Sequence, residues 1–579
     1  MYKLLNTLSE VIVDPDYPLF CDTETAGLYQ TITLVQFYQA DWPVAILVQN
    51  PNPFELAAFL AKYHTVWHNA HYDFTTIQQQ STTEYAPSTF DDTFLLSRLA
   101  QPEASEFSLD KVMTRVLGKN PYAEFNKSAM QKSDWSGNLT AEQMSYAATD
   151  VYYMPQVWDA VKHKTDDINY KLDIYTLRYC MQFQWTGMPV DSGRLADVWR
   201  TTEKELANVE IETNPKTGKP YNVNSWKQVR EWLQVTESDK MALSRLWLAK
   251  GDKRAKAILD KRSLLKRLNF LEKYDLDYIV GKFKPSARSG RLTSDDHNMQ
   301  QIPRALKEVF GYPDDTPRVL IYSDYAQLEL RTICAILQVK IMEKLFREGE
   351  DLHGYVAAML FGEDYTKADR QVTKTYNFNL LYGGSVGMVL SILITYGLLI
   401  PERQANRHKA KWLNLFPEIN KWQQESISQW RKGRLASTPF GREYKGKLMT
   451  DQMNIKNQGA GAEVAKLALH YFQPWLTEYN DSHGHDVEVF THNGQDMGLA
   501  NFIHDSFIVD APDIPEVYET IAKQLADCMQ RAWFEASKMF AVKDLPMPVN
   551  VKVGKNWGDL EADKGVIYEY DLEGMATFK

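Results

Sequence analysis

The chain reads as a multidomain protein combining α/β and α+β parts. Three observations predict this. Its 579 residues exceed what one hydrophobic core accommodates. A strand-rich opening gives way to helices. Far downstream an apolar run, Val319-Leu320-Ile321-Tyr322, starts a second sheet and ends on an aspartate, Asp324.

Taken in order, Leu19-Phe20-Cys21, Ile32–Phe37 and Val44–Val48 predict three strands, and Phe54–Tyr63 and Thr93–Leu99 carry the helical period. Together they predict a compact first domain over residues 1–165. Ile168–Trp185 is an apolar-periodic helix leading away from it. Pro215-Lys216-Thr217-Gly218-Lys219-Pro220 reads as a turn-rich break. Ser225–Leu233 and Leu243–Tyr278 then predict basic helical stretches, and more helices run to about Arg434 before mixed strands and helices close the chain.

The formal net charge of −10 argues at first against a polyanionic partner. The charge is uneven, however. Residues 224–291 hold seventeen Lys and Arg against eight Asp and Glu, whereas residues 1–164 hold ten against nineteen. A basic segment inside an acidic chain is the electrostatic footprint of nucleic-acid binding. Four scattered cysteines form no CxxC pair, which excludes a zinc or disulfide framework and fits a reducing compartment. The N-terminus lacks the apolar core of a signal peptide. Leu380–Ile400 is uncharged, but it contains Gly383-Gly384-Ser385 and continues a charged helix, so it is read as a buried helical segment and not a membrane span.

Two carboxylate sets carry the chemistry. In the first, Asp22 and Glu24 stand at i and i+2, on one face of a strand. Asn69 and Asp73 are read as one helical turn apart, and Tyr146 and Asp150 share a helix face at i, i+4. Four acids of this kind can hold two divalent ions, with the phenol orienting an attacking water. In the second set, Asp324 ends its strand, and His504-Asp505 sits at the tip of a hairpin between Asn501–Ile503 and Ser506–Val509. Between them Arg370, Lys374, Phe378 and Tyr382 fall at i+4 steps on one helix. Cations followed by aromatics on one face suit a nucleoside triphosphate, phosphates at one end and base at the other. Asp351-Leu352-His353 offers a further phosphate partner, and no GK[ST] sequence supports a P-loop.

The first set resembles the DEDD exonucleases in their DEDDy form. That resemblance implies an RNase H-like sheet and 3′→5′ exonuclease activity, with Asp22, Glu24, Asp73 and Asp150 as metal ligands and Tyr146 positioning water. Asp92, before Thr93, resembles a recurrent pair of that family and is read as a helix N-cap. Nearly the whole chain resembles family A DNA polymerases, both the large fragment of bacterial DNA polymerase I and phage replicative enzymes. The segments that carry this likeness include Ser289-Gly290-Arg291-Leu292, Asn298–Pro303, Gln458-Gly459 and Val553–Trp557. The resemblance implies a right hand: 166–223 as linker helix and start of the palm, 224–291 as thumb, 292–338 as palm with the first catalytic strand, 339–434 as fingers, and 435–579 as palm with the second. It implies Asp324 and Asp505 as metal ligands and Glu329 as a screen against the sugar 2′-hydroxyl. His353, Arg370 and Lys374 would hold the triphosphate, and Phe378 and Tyr382 would pack on nucleotide and template. Arg291, Asn454, Gln458 and His504 would contact DNA.

The implied partners are primer-template DNA, dNTPs and Mg2+, with Mn2+ as a substitute. A monomer in the host cytoplasm is expected, with no membrane. Helicase, primase or single-strand binding protein partners are not identified by the sequence. The family's His-Asp-Glu is here His504-Asp505-Ser506, so metal binding is expected to rest on two aspartates. Single-subunit RNA polymerases also carry serine there, but Glu329 and the exonuclease set argue against an RNA-making enzyme. A start directly at the exonuclease and a plain 224–291 segment suggest a compact phage-type replicase.

Overall fold

The computed structural model describes residues 1–482, 491 and 493–572. The first unit is a six-stranded sheet of β1 (Tyr2–Leu5), β2 (Leu19–Thr25), β3 (Ile32–Tyr38), β4 (Ala45–Gln49), β5 (Thr65–Trp67) and β6 (Phe90–Asp92), in the order β1-β4-β3-β2-β5-β6. β2, β3 and β4 are antiparallel, and β5 and β6 continue parallel to β2. All seven residues of β3 are buried, because helices cover both faces of the sheet. These include α1 (Pro53–Leu60), α2 (His71–Ser81), α3 (Thr93–Ala100) and α4 (Ala141–Tyr152). α3 starts at Asp92 because that carboxylate accepts from Phe94 N and Leu95 N, as an N-cap does. It also accepts from Asn69 N and Ala70 N at 3.0 Å each, so one buried acid ties two loops together. Asn69 itself has φ +69° and lies outside α2, so it is not one helical turn from Asp73 on a common helix.

The long helix predicted over Ile168–Trp185 is α5 (Ile168–Thr186), and it packs into the rest of the chain. Its Asp173 receives both guanidinium nitrogens of Arg442 at 2.9 Å and Lys466 Nζ at 2.5 Å, all of them nearly inaccessible to solvent. Removing one member of such a knot would strand the others uncompensated.

The basic arm is built from α7 (Trp226–Leu233), α8 (Lys240–Lys250) and α9 (Lys253–Lys273) around a small core of its own, with α6 (Ser192–Ala207) packing on α9 while its Leu195 joins the main core. Arg267 on α9 bonds Glu205 and Thr202 on α6, so the arm reaches back to Ser192, ahead of the expected start at residue 224. The Pro215–Pro220 stretch is a hairpin within the arm and not a boundary. Leu243–Tyr278 is not one continuous run: Gly251 and Asp252 divide it, the first with positive φ and the second capping α9, and it ends in a strand.

The second sheet orders β7 (Arg318–Tyr325), β8 (Gly498–Ile503), β9 (Ser506–Pro512), β10 (Val549–Gly554) and β11 (Val566–Leu572) as β8-β9-β7-β10-β11, each neighbour antiparallel. Val319, Leu320 and Ile321 of the central β7 are fully buried. At its foot Arg318 and Asp510 form an ion pair at 2.7 Å with neither side chain exposed, completed by the Tyr312 hydroxyl. α15 (Pro515–Ser537) packs on the sheet, α14 (Ala460–Ser482) on α15 and β8, and α10 (Leu328–Leu337) on α14, while α11 (Leu352–Phe361), α12 (Lys367–Leu381) and α13 (Val386–Thr395) pack one on the next. The uncharged Leu380–Ile400 segment is not one buried helix. It breaks at Tyr382–Ser385, and its short helix α13 leaves Met388 exposed. No helix among the described residues is long and apolar enough to cross a membrane.

Candidate active sites

The first site lies where β2 faces α4. Strand pleating brings Asp22 and Glu24 to one face, and α4 lays Asp150 over them. One oxygen from each of the three lies within 4.8 Å of the others. Asp73 falls outside that trio: its Oδ1 is held by Thr23 N at 3.1 Å and Thr23 Oγ1 at 2.6 Å. It remains electrostatically coupled to the set. Burial pushes the Asp22 and Glu24 carboxyls well above their ordinary range, and repulsion from Asp73 and Asp150 adds to it. Asp73 and Asp150 are both pushed up to about 7, mainly by burial. Crowded, half-buried carboxylates that resist ionising together fit a divalent cation, which would relieve both penalties.

Tyr146 lines the same cleft of about 570 Å3, one turn before Asp150. Its ring packs among Tyr122, Phe125 and Trp135. Nothing in the local sequence singles out Tyr122, yet its hydroxyl donates to Asp150 Oδ1. It sits in a turn between helices, where no periodicity marks it. Lys127 and, from beyond the arm, Lys284 also face this cleft.

The second site opens at the end of the central strand. Asp324 pairs in register with Ser506, and the two-residue turn His504-Asp505, with His504 at φ +60°, carries Asp505 beside it. Burial pushes Asp505 up to about 7, with repulsion from Asp324 next; Asp324 itself rises to about 6, chiefly through desolvation. This pair too fits a cation. Across a cleft of about 470 Å3 stand Arg370, Lys374 and Phe378 of α12, with His353 of α11. The expected stripe is real, except that Tyr382 falls just past the end of α12.

Arg370 is bound by Asp351 at 2.7 and 3.0 Å, and Lys374 is exposed with no ion pair among the described residues. Burial lowers His353 to about 4, so its ring is neutral. The Asn377 amide oxygen accepts from Trp412 Nε1, so its nitrogen donates to His353 Nδ1 at 2.8 Å and leaves Nε2 as the donor. Glu329, in the first turn of α10, is fully engaged: Arg291 Nη2 reaches Oε1 at 2.5 Å and the Tyr382 hydroxyl reaches Oε2 at 2.8 Å. Asn457 in turn bonds that hydroxyl at 2.9 Å. Arg331, conspicuous in the sequence beside Glu329, has a structural part, donating to the Ala326 and Pro546 carbonyls. Asn454 and Gln458 lie one turn apart where the helix Met449–Asn454 passes into a π-helical turn; both are half-buried, and neither lines the cleft.

The sequence profile of DNA polymerase family A matches residues 192–559, and that of a 3′-5′ exonuclease matches residues 3–166. The chain belongs to DNA polymerase family A. The polymerase is 24% identical to DNA polymerase I of Aquifex aeolicus (strain VF5), over 93% of this chain and 95% of that one. It is also 24% identical to the thermostable DNA polymerase I of Thermus aquaticus, spanning 46% of that protein. A DNA polymerase of Bacillus phage SP01 matches half of this chain and 33% of its own length at 24% identity. Among solved structures, the POL domain of Pol1 from M. smegmatis in complex with DNA primer-template and dNTP superposes with a TM-score of 0.72 at 18% identity, over 93% of this chain and 95% of that one. The likeness in shape establishes the fold, an N-terminal exonuclease domain followed by a family A polymerase domain. The chain is thus a DNA polymerase I-like enzyme with a 3′-5′ exonuclease domain.

Proposed function

We propose that the polymerase extends a primer 3′ end at the Asp324–Asp505 cleft and edits it at the Asp22–Glu24–Asp150 cleft, as a phage-type replicase of DEDDy subtype. The observation that carries this reading is that Asp324 and Asp505 face Lys374, which makes no ion pair among the described residues, across one cleft. Synthesis needs groups that steady a triphosphate while a hydroxyl attacks it, and Lys374, Arg370 and a neutral His353 donate from the opposite wall. Asp324 and Asp505 would hold Mg2+, with Mn2+ as a substitute; bound there it would lower the pKa of the primer hydroxyl and neutralise developing phosphate charge. Glu329, gripped by Arg291 and Tyr382, is a fixed wall against a 2′-hydroxyl. Phe378 and Tyr382 pack on nucleotide and template, and Arg291, Asn454, Gln458 and His504 contact the duplex.

At the editing site, Asp22, Glu24 and Asp150 with Asp73 would hold the same kind of ion, and Tyr146 orients water toward the terminal phosphodiester. In hand terms, 1–165 is the exonuclease, the thumb extends back to include α6, 339–434 is the fingers, and the palm surrounds β7–β11. The enzyme acts as a monomer in the host cytoplasm on primer-template DNA. Extension of a primed template tests this with dNTPs and rNTPs in parallel. Efficient dNTP use with poor rNTP use is the expected result. No extension, or preference for rNTPs, overturns it.

A further inference from the structure

Tyr322 stands two residues before Asp324 on β7, and pleating puts both side chains on one face of the strand. The phenol leans along the strand, and its hydroxyl donates to Asp324 Oδ2 at 3.3 Å. No other side chain among the described residues hydrogen-bonds that carboxylate. The two register partners of Asp324 are both committed elsewhere. Ser506 turns its hydroxyl back to the Ile503 carbonyl at 3.0 Å, and Asn550 gives its amide to Glu569 at 2.6 Å and to Asp571. Glu329, which with Asp505 lines the same cleft, has both oxygens taken by Arg291 and Tyr382. Tyr322 therefore supplies the side-chain hydrogen bond that orients Asp324 at the strand end, beside the more distant charges of Lys552 and Lys307.

We propose that Tyr322 is a positioning residue for synthesis. It fixes one oxygen of Asp324 by hydrogen bonding and leaves the other for the divalent cation. The inference rests on reading Asp324 as a metal ligand. Hydrogen bonds behind a ligating group set its orientation, and their loss typically costs 10–100-fold in metal affinity or activity. Tyr322 touches neither nucleotide nor metal in this scheme and acts only through Asp324.

Tyr322→Phe keeps the ring and removes one oxygen. The measurement is Mn2+ binding by titration calorimetry, on protein carrying Asp22→Ala and Glu24→Ala so that the editing site is silent. The Mg2+ concentration giving half-maximal extension and the unfolding temperature are read alongside. The expected result is a dissociation constant and a Mg2+ midpoint each raised about 10-fold, with the KM for dNTP at saturating Mg2+ and the unfolding temperature unchanged. Values within twofold of the parent overturn the positioning role. Asp324→Asn in the same background separates the two levels. If it abolishes Mn2+ binding while Tyr322→Phe does nothing, only the role of Tyr322 falls. If it leaves Mn2+ binding intact, the ligand reading itself falls and takes the inference with it.

Discussion

Replacing Asp505 with asparagine should end DNA synthesis and, without metal at alkaline pH, make the protein more stable. The carboxyl is pushed up to about 7 by burial and by the nearby Asp324, whereas in the unfolded chain it titrates near 3.9. A group whose folded value is raised binds its proton more tightly in the folded state. Its penalty is therefore absent below about pH 4, accrues as the pH rises from there, and is complete above about pH 7. At pH 8 the ceiling is ~4 kcal/mol, at 1.36 kcal/mol per pH unit between those two values. Water reaches this half-buried side chain, so about 1–2 kcal/mol is the working expectation. Denaturant unfolding in EDTA at pH 4 and pH 8 measures it: Asp505→Asn should be stabilised at pH 8 and nearly neutral at pH 4. Extension by the same variant should fall at least about 1,000-fold, since half of the acid pair is gone. Destabilisation equal at both pH values, or extension within tenfold of the parent, would refute the electrostatic account.

Tyr122→Phe removes the hydroxyl that donates to Asp150 and should slow degradation of single-stranded 3′ ends about 10-fold. Extension of a matched primer should stay unchanged, and degradation within twofold of the parent would deny Tyr122 any part in the editing site. Glu329→Ala releases both Arg291 and Tyr382 and should lower dNTP-over-rNTP discrimination by about 10-fold or more. Competition kinetics with a dNTP–rNTP pair checks this, and unchanged selectivity would count against a wall at Glu329.

Much of both sites was legible because strands and helices impose fixed periods. Asp22 and Glu24 at i, i+2 had to share a face, and Arg370, Lys374 and Phe378 had to share a stripe once a helix was assigned there. The hairpin tip at His504-Asp505 followed from two apolar runs separated by two residues. What stayed hidden depends on chain segments meeting across space. Tyr122 reaches Asp150 from a turn, and Lys284 reaches the editing cleft from beyond the arm. Local pattern also misled where a single residue set the backbone. Asn69 looked like part of a helical turn, but its left-handed φ places it before α2, where Asp92 holds its N–H. Pro215–Pro220 has the composition of a linker, yet flanking helices that pack on each other make it an internal hairpin.

The central claim is that one chain carries two independent carboxylate sites on two separate sheets. A crossed assay of Asp324→Asn and Asp150→Asn tests it most directly, scoring primer extension and 3′-end degradation for each variant in Mg2+. The account predicts that Asp324→Asn loses extension and keeps degradation, while Asp150→Asn loses degradation and keeps extension. Loss of both activities in either variant, with the fold intact, would contradict it.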